Sequence, residues 1–263
     1  MTHVLYVYAV GRAGHPLPEG VEAVDGSERV DCFQDGDLCA FHTKVEAEEF
    51  SQEGIDRRAG DIEWLGAIGY RHQNVMAALM RGGTIVPLRA FTLFRSQSSL
   101  HEWLQSGREQ LGKVLGRLEG KQEWTLRIEL EAQKWSEALV GRVEALKALQ
   151  AEIETAGAGK AFLLRKKLDE ARKQASREAE QQLVAEVESE ILAKLACESV
   201  AESRERREGA FPQINVLINR DEESRLQELR EELAQRYGHE GVTLALTGPW
   251  PPYTFVGTMN EEG

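Results

Sequence analysis

No apolar run in this sequence approaches the roughly 18 residues that a membrane-spanning helix needs. The opening segment MTHVLYVYAV has no basic leader, so neither a signal peptide nor a membrane span is expected, and the chain reads as cytosolic. Cysteine is scarce, with three residues at positions 32, 39 and 197 and no metal-ligand spacing among them. Basic excess is also missing. The formal net charge is −12, and such a chain repels a phosphate backbone unless its cations gather on one face. The densest basic runs, Arg165-Lys166-Lys167 and Arg204-Glu205-Arg206-Arg207, sit among carboxylates and read as solvated helix faces. Nucleic acid and membrane are therefore not expected partners.

Catalytic constellations are absent as well. Gly82-Gly83 is not followed by Lys and Ser/Thr, and Gly157-Ala158-Gly159-Lys160 opens a helix with no strand before it, so neither is a phosphate loop. A Gly-flanked lysine at a helix start can bind an anion, but an ordinary turn between helices explains it. His72 lies on an apolar helix stripe with no Ser or Cys nucleophile in a recognisable motif, and reads as a core histidine hydrogen-bonded to a neighbour. The acidic run Glu186-Val187-Glu188-Ser189-Glu190 lacks the Gly and Asp/Asn alternation of a calcium loop. No catalytic residue, metal ligand or cofactor is assigned.

What is present is a regular mixture of strands and helices. Apolar residues make up 41% and charged residues 29%, enough for cores and for long solvated helix faces. His3–Val10 carries bulk on both faces and belongs inside a sheet. A Gly/Pro loop follows, then a short strand at Val21–Val24. Asp35-Gly36 is the dipeptide of a type I′ hairpin. That register sets Cys32 opposite Cys39 on a hydrogen-bonded pair, with Cα atoms roughly 5.5 Å apart. A disulfide is sterically conceivable there; two reduced thiols acting as small hydrophobes are the expectation.

Apolar residues at steps of three and four predict helices over Asp61–Met80 and from Ser96 to Leu118. Between them lies a short strand, Thr84–Leu88, whose Pro87 suits a strand end or an edge. Strict alternation over Gln122–Leu130 predicts a half-buried strand with Trp124, Leu126, Ile128 and Leu130 on one face. Lys134 to Arg207 reads as almost wholly helical, broken at Ala156–Gly159 into an antiparallel hairpin. In its second arm Ala171, Ala175, Ala179, Leu183, Val187, Ile191 and Leu195 are each four apart. Six such steps carry the row roughly 240° around the axis. The helix must therefore bend or break, or pack its two halves on different elements. Ile214–Ile218 is a buried-type strand, Asn219 and Glu222 open a helix to Gly238, and Val242–Leu246 is the last strand.

Two segments are rich in Pro and aromatic residues. One is Pro87-Leu88-Arg89-Ala90-Phe91-Thr92-Leu93-Phe94. The other, Gly248 to Phe255, holds three of the chain's seven prolines within four positions. It should be stiff and extended, near polyproline II, presenting Trp250, Tyr253 and Phe255. It could strap over a core or dock a partner, and one segment can do both. Pro87, Arg89, Phe91, Phe94, Trp250, Tyr253 and Phe255 are the candidate interaction or inter-domain residues.

These segments resemble the gas vesicle protein L/F (GvpL/GvpF) family nearly end to end. The resemblance runs through LYVYAV, Trp64 to His72 and Val75, VPLRAFTLF, the strand at Glu123–Ile128, GKAFLLRKK at Gly159–Lys167 and the closing LTGPWPPYTF. At Ala90-Phe91 the family more often has Phe then Gly, which puts the turn after Arg89 in question. The resemblance implies an α+β protein of two modified ferredoxin-like domains, residues 1–119 and 120–263. The second would carry a long helical hairpin insertion and the Pro/aromatic tail. It implies a non-enzymatic accessory protein, minor structural or chaperone-like, located at the gas vesicle within the cytoplasm. It would bind the main shell protein or other accessory proteins, and it needs no cofactor. The alternative expectation is a ferredoxin-like small-molecule or regulatory binding module with a pocket along Thr84–Phe94.

Overall fold

The computed structural model describes residues 3–27, 29–202 and 211–257; the basic run Arg204–Arg207 lies outside them. The chain divides into two compact units. Residues 1–122 together with 249–263 form the first, and residues 123–248 the second.

In the first unit, β1 (His3–Arg12) pairs antiparallel with β3 (Leu38–Glu46), which pairs with β2 (Asp31–Asp35). Two short helices, α1 (Ala47–Phe50) and α2 (Gln52–Arg58), follow β3; the sequence pattern did not reveal them, since neither is long enough to establish a period. Next come α3 (Ile62–Gly82), β4 (Ile85–Pro87), β5 (Leu93–Phe94) and α4 (Gln97–Leu118). Asp61 caps α3 by accepting from the Trp64 N–H at 3.0 Å, and Ser96 with Ser99 closes a capping box on α4. The strand order β2-β3-β1-β4 makes β1 interior. Tyr6 and Tyr8 pack with α3 residues Ile68, Val75, Met76 and Leu79. Pro87 ends the edge strand β4, where its missing N–H is harmless.

Three expectations change here. Val21–Val24 is not a strand: its backbone bonds go into a turn, Ala23 N–H to Ser27 O at 2.6 Å, and to the Tyr8 hydroxyl, which accepts from Val24 N–H at 3.1 Å. The hairpin is one residue out of register with the type I′ reading. Asp35 pairs with Leu38, so the loop is Gly36-Asp37. Only Gly36 has positive φ, 59°, the pattern of a II′ turn. Arg108 fixes it by donating to Asp37 at 2.6 Å and to Asp35 at 2.8 Å. Cys32 therefore stands opposite Phe41, diagonal to Cys39 on the same face. The two are joined by a disulfide with Cα atoms 5.9 Å apart, not held as free thiols.

The second unit is built on a sheet of order β7-β8-β6-β9. It takes in most of β6 (Lys121–Leu130), α5 (Ala132–Arg142), α6 (Glu144–Thr155), α7 (Ala158–Lys194), β7 (Glu198–Glu202), β8 (Gln213–Asn219), α8 (Glu223–Tyr237) and β9 (Val242–Trp250). The alternation of β6 holds, with Trp124, Leu126 and Ile128 buried and Arg127 exposed. The helical stretch stops at Lys194, short of the expected Arg207, and β7 pairs antiparallel with β8. Val143 adds a break between α5 and α6. Asn219 opens only a short 3-10 turn; Glu222 is the N-cap of α8. The four-spaced row of α7 is its inner row throughout. The helix packs on α5 and α6 and also on β7, β8 and α8. The rotation of the row is what lets one helix serve both sets of neighbours.

Candidate functional site

The segment between β4 and β5 is an edge strand interrupted by a turn. Before the turn, Leu88 N–H donates to Tyr8 O at 2.8 Å; after it, Val7 N–H donates to Thr92 O at 2.9 Å. Across the gap, Thr92 donates to Arg89 O through its N–H and through its hydroxyl, the latter at 2.7 Å. Phe91 sits inside the turn at φ 65°, the one positive φ of a non-glycine residue among those described. A left-handed backbone costs an L-residue about 1–2 kcal/mol. In return, the Phe91 ring packs 6.1 Å from Tyr6 and 5.8 Å from Trp64.

Behind that turn a hydrogen-bond chain crosses the first unit. Tyr253 donates to Leu88 O at 3.3 Å. Having spent its proton there, its oxygen accepts from His72 Nε2 at 2.9 Å. That assigns the His72 proton to Nε2 and leaves Nδ1 to accept from the Tyr6 hydroxyl at 2.9 Å. The Tyr6 oxygen takes the Phe91 backbone N–H. Every polar atom of the chain is thereby used with His72 neutral. Burial pushes the His72 pKa down to about 4 and raises both tyrosines well above the usual phenol range. Tyr8 next door is pushed up to about 12, also by burial.

The outward side of α3 is different. Between Trp64 and Met80 only Arg71 is charged. Ile62 is 83% exposed and Tyr70 70% exposed. Gly66 and Gly69 lie between them with open space where a Cβ would stand. At its start, Trp64 donates its indole N–H to Glu49 at 2.8 Å and carries the Arg58 guanidinium 5.3 Å from its ring centre.

The expected residues separate into two groups. Pro87, Phe94 and Phe255 are buried, and Tyr253 is bonded into the chain just described. Phe94 packs 5.4 Å from Trp103. Arg89 is exposed, Phe91 is half-buried and Trp250 is 39% exposed. The tail keeps the extended form expected of it only as far as Trp250. β9 continues through Trp250, Pro251 and Pro252 are buried, and Tyr253–Phe255 turns as a 3-10 helix. It belongs to the first unit, not to the second half where the sequence order had put it. Tyr6, Trp64 and Phe50 were missed as site residues, although the alternation of LYVYAV already sets Tyr6 and Tyr8 on one face.

Comparison with known proteins places this geometry. Residues 4–257 match the family model described as gas vesicle synthesis protein GvpL/GvpF. The chain is 27% identical over 267 residues to gas vesicle protein L of Streptomyces sp. (strain CB03234), covering 98% of this chain and 94% of that protein. It is 31% identical over 196 residues to gas vesicle protein L of Haloferax mediterranei, covering 71% and 60%. The crystal structure of GvpF from Anabaena sp. PCC7120 shares the fold with a TM-score of 0.74 at 16% identity, covering 97% of this chain and 98% of that one. The chain belongs to the GvpL/GvpF family of gas vesicle synthesis proteins.

Proposed function

We propose that this chain is an accessory protein of gas vesicle assembly, minor structural or chaperone-like, that binds the main shell protein, other accessory gas vesicle proteins, or both. Family membership supports the setting. The observation that carries the binding reading is the uncharged outer face of α3, from Ile62 through Gly66, Gly69 and Tyr70 to Ala77, in a chain whose residues are 29% charged. An exposed apolar strip on an otherwise charged surface marks an interaction site, and the two glycines let a partner's backbone come close. Arg89, Phe91 and Trp250 are assigned to partner contact. Pro87, Phe94, Tyr253 and Phe255 are assigned to holding the unit together.

The strand orders support a finer reading of the fold. Taken in chain order, both sheets follow the same permutation, second-third-first-fourth. Each unit is then a variant of the βαββαβ ferredoxin-like plan. The first replaces its first crossover helix by the Gly/Pro loop; the second expands it into α5, α6 and α7. A small-molecule module would need a pocket along Thr84–Phe94. Two cavities among the described residues, of about 470 and 790 Å³, are lined by residues of 46–58 and of 150–172.

The test is co-precipitation of the purified chain with the shell protein, comparing wild type with Ile62→Glu and Tyr70→Glu. Both side chains are exposed, so the fold should survive the changes. Association lost in both variants supports the assignment. Wild type that fails to associate, from a strain that forms normal vesicles after its gene is deleted, overturns it.

A further inference from the structure

The first half of α7 carries a surface unlike the rest of the molecule. Residues 160–177 hold seven cations and two carboxylates, in a chain whose net charge is −12. Phe162 and Leu163 on the same stretch are 69% and 67% exposed. The inner side of this half is occupied by Ala161, Leu164, Leu168, Ala171 and Ala175. The outer side therefore runs through Phe162, Lys166, Lys173 and Arg177, at steps of four, seven and four, with Leu163 beside them. Lys160 is held by Glu152 at 2.8 Å. Lys166, Lys173 and Arg177 are all exposed. Gly157 and Gly159, at the start of the strip, have open space around them.

We infer that this face docks an acidic amphipathic helix of a partner protein. Phe162 and Leu163 would seat between its apolar side chains, and Lys166, Lys173 and Arg177 would pair with its carboxylates. Charge complementarity selects this occupant. A helix on a helix face is read through apolar anchors, and Phe162 with its neighbour Leu163 supplies one such apolar contact at the start of the strip. The cations continue the recognition over about three further turns, from Lys166 to Arg177. An anionic lipid surface fits less well. It needs a continuous apolar stripe to insert, and here that stripe is already packed inside the unit. The two interspersed carboxylates, Asp169 and Glu170, also oppose a uniformly negative sheet or a nucleic acid.

The test uses the full chain and a synthetic acidic amphipathic helical peptide of Leu, Ala and Glu, with its Lys-for-Glu counterpart as control. Binding is followed by fluorescence anisotropy at about 0.05 and 0.5 M salt, where screening separates ionic from apolar attraction. The expected result is binding of the acidic peptide, weaker at high salt, and none of the basic one. Phe162→Ala with Leu163→Ala, and separately Lys166→Glu with Lys173→Glu, should each lower affinity at least about tenfold. Lys166→Arg with Lys173→Arg should retain it. Because all four side chains are exposed, unchanged circular dichroism will show that the variants fold. Absence of binding, or binding that none of these variants alters, overturns the proposal. So does tighter binding, through the same residues, of phosphatidylglycerol vesicles or of a DNA duplex. Ile62→Glu, which tests the outer face of α3, should leave this binding unchanged, so the two readings fail separately.

Discussion

His72 is neutral because its surroundings leave it no other choice. Each ring nitrogen already has a hydroxyl in place, and a second proton would set its Nδ1–H against the Tyr6 O–H that now donates to it. Its folded-state pKa is about 4, against about 6.5 in an unfolded chain. As pH falls below about 6.5, the unfolded chain takes up a proton that the folded one refuses. Stability is therefore full above that pH and falls by about 1.4 kcal/mol per unit until about pH 4. His15 and His42, also depressed by burial, add to the same trend. Urea unfolding should show a loss between pH 7 and pH 5 that is about 2 kcal/mol smaller in His72→Gln, which keeps one donor and one acceptor. An identical loss in the two proteins would refute the assignment.

Phe91 makes a second residue-scale case. It stands in a left-handed conformation, which glycine adopts without steric cost. Replacing it by Ala removes the ring and keeps the strain; replacing it by Gly removes both. Phe91→Gly should therefore be more stable than Phe91→Ala by about 1 kcal/mol, the reverse of the usual order. Thermal unfolding of the two variants decides it. Both the histidine's place on an apolar stripe and the suspect turn after Arg89 could be read in the sequence. The chain of bonds through Tyr253 could not, because its members are separated by 66 and 181 residues and nothing local marks such pairs.

At the scale of elements, periodicity was a reliable guide where an element was long. The row of α7 could be followed through six steps of four, from Ala171 to Leu195; its rotation left open a bend, a break or two sets of neighbours, and the helix has two sets. Ile191 is on that row and fully buried, while Leu192 beside it is exposed. Ile191→Ala should cost about 2–5 kcal/mol by leaving a cavity, and Leu192→Ala less than about 0.5 kcal/mol. Comparable costs at the two positions, in denaturant titration, would mean the row is misplaced. Periodicity failed where elements were short or their ends were set from a distance. β7 has five residues and its pattern is no different from a helix end. The hairpin register was decided by Arg108 on α4, which clasps Asp35 and Asp37 from about seventy residues away; the turn dipeptide alone pointed one residue off.

The tail links these scales at the level of the whole molecule. Sequence order assigned it to the second half, and its prolines pointed to a stiff presented strand. Instead, the first unit is discontinuous. Its sheet and α3 come from residues before Gln122, and residues 249–257 return to complete it. Tyr253 joins His72 to the Leu88 carbonyl at one end of the hydrogen-bond chain, and Phe255 and Val256 are buried. Each fully buried side chain of this kind contributes about 1.5–3 kcal/mol, and removing Tyr253 leaves His72 Nε2 and Leu88 O without their bond, a further penalty of about 1–3 kcal/mol. A chain ended after Gly248 should therefore lose several kcal/mol from the first unit. Hydrogen exchange resolves where. The amides of β1 and α3 should lose protection by two or more orders of magnitude, on the order of 3 kcal/mol, while those of β8 and α8 keep theirs. Equal loss in both units would mean that the tail stabilises the chain in some other way, and protection unchanged in β1 would remove it from the first unit's core altogether.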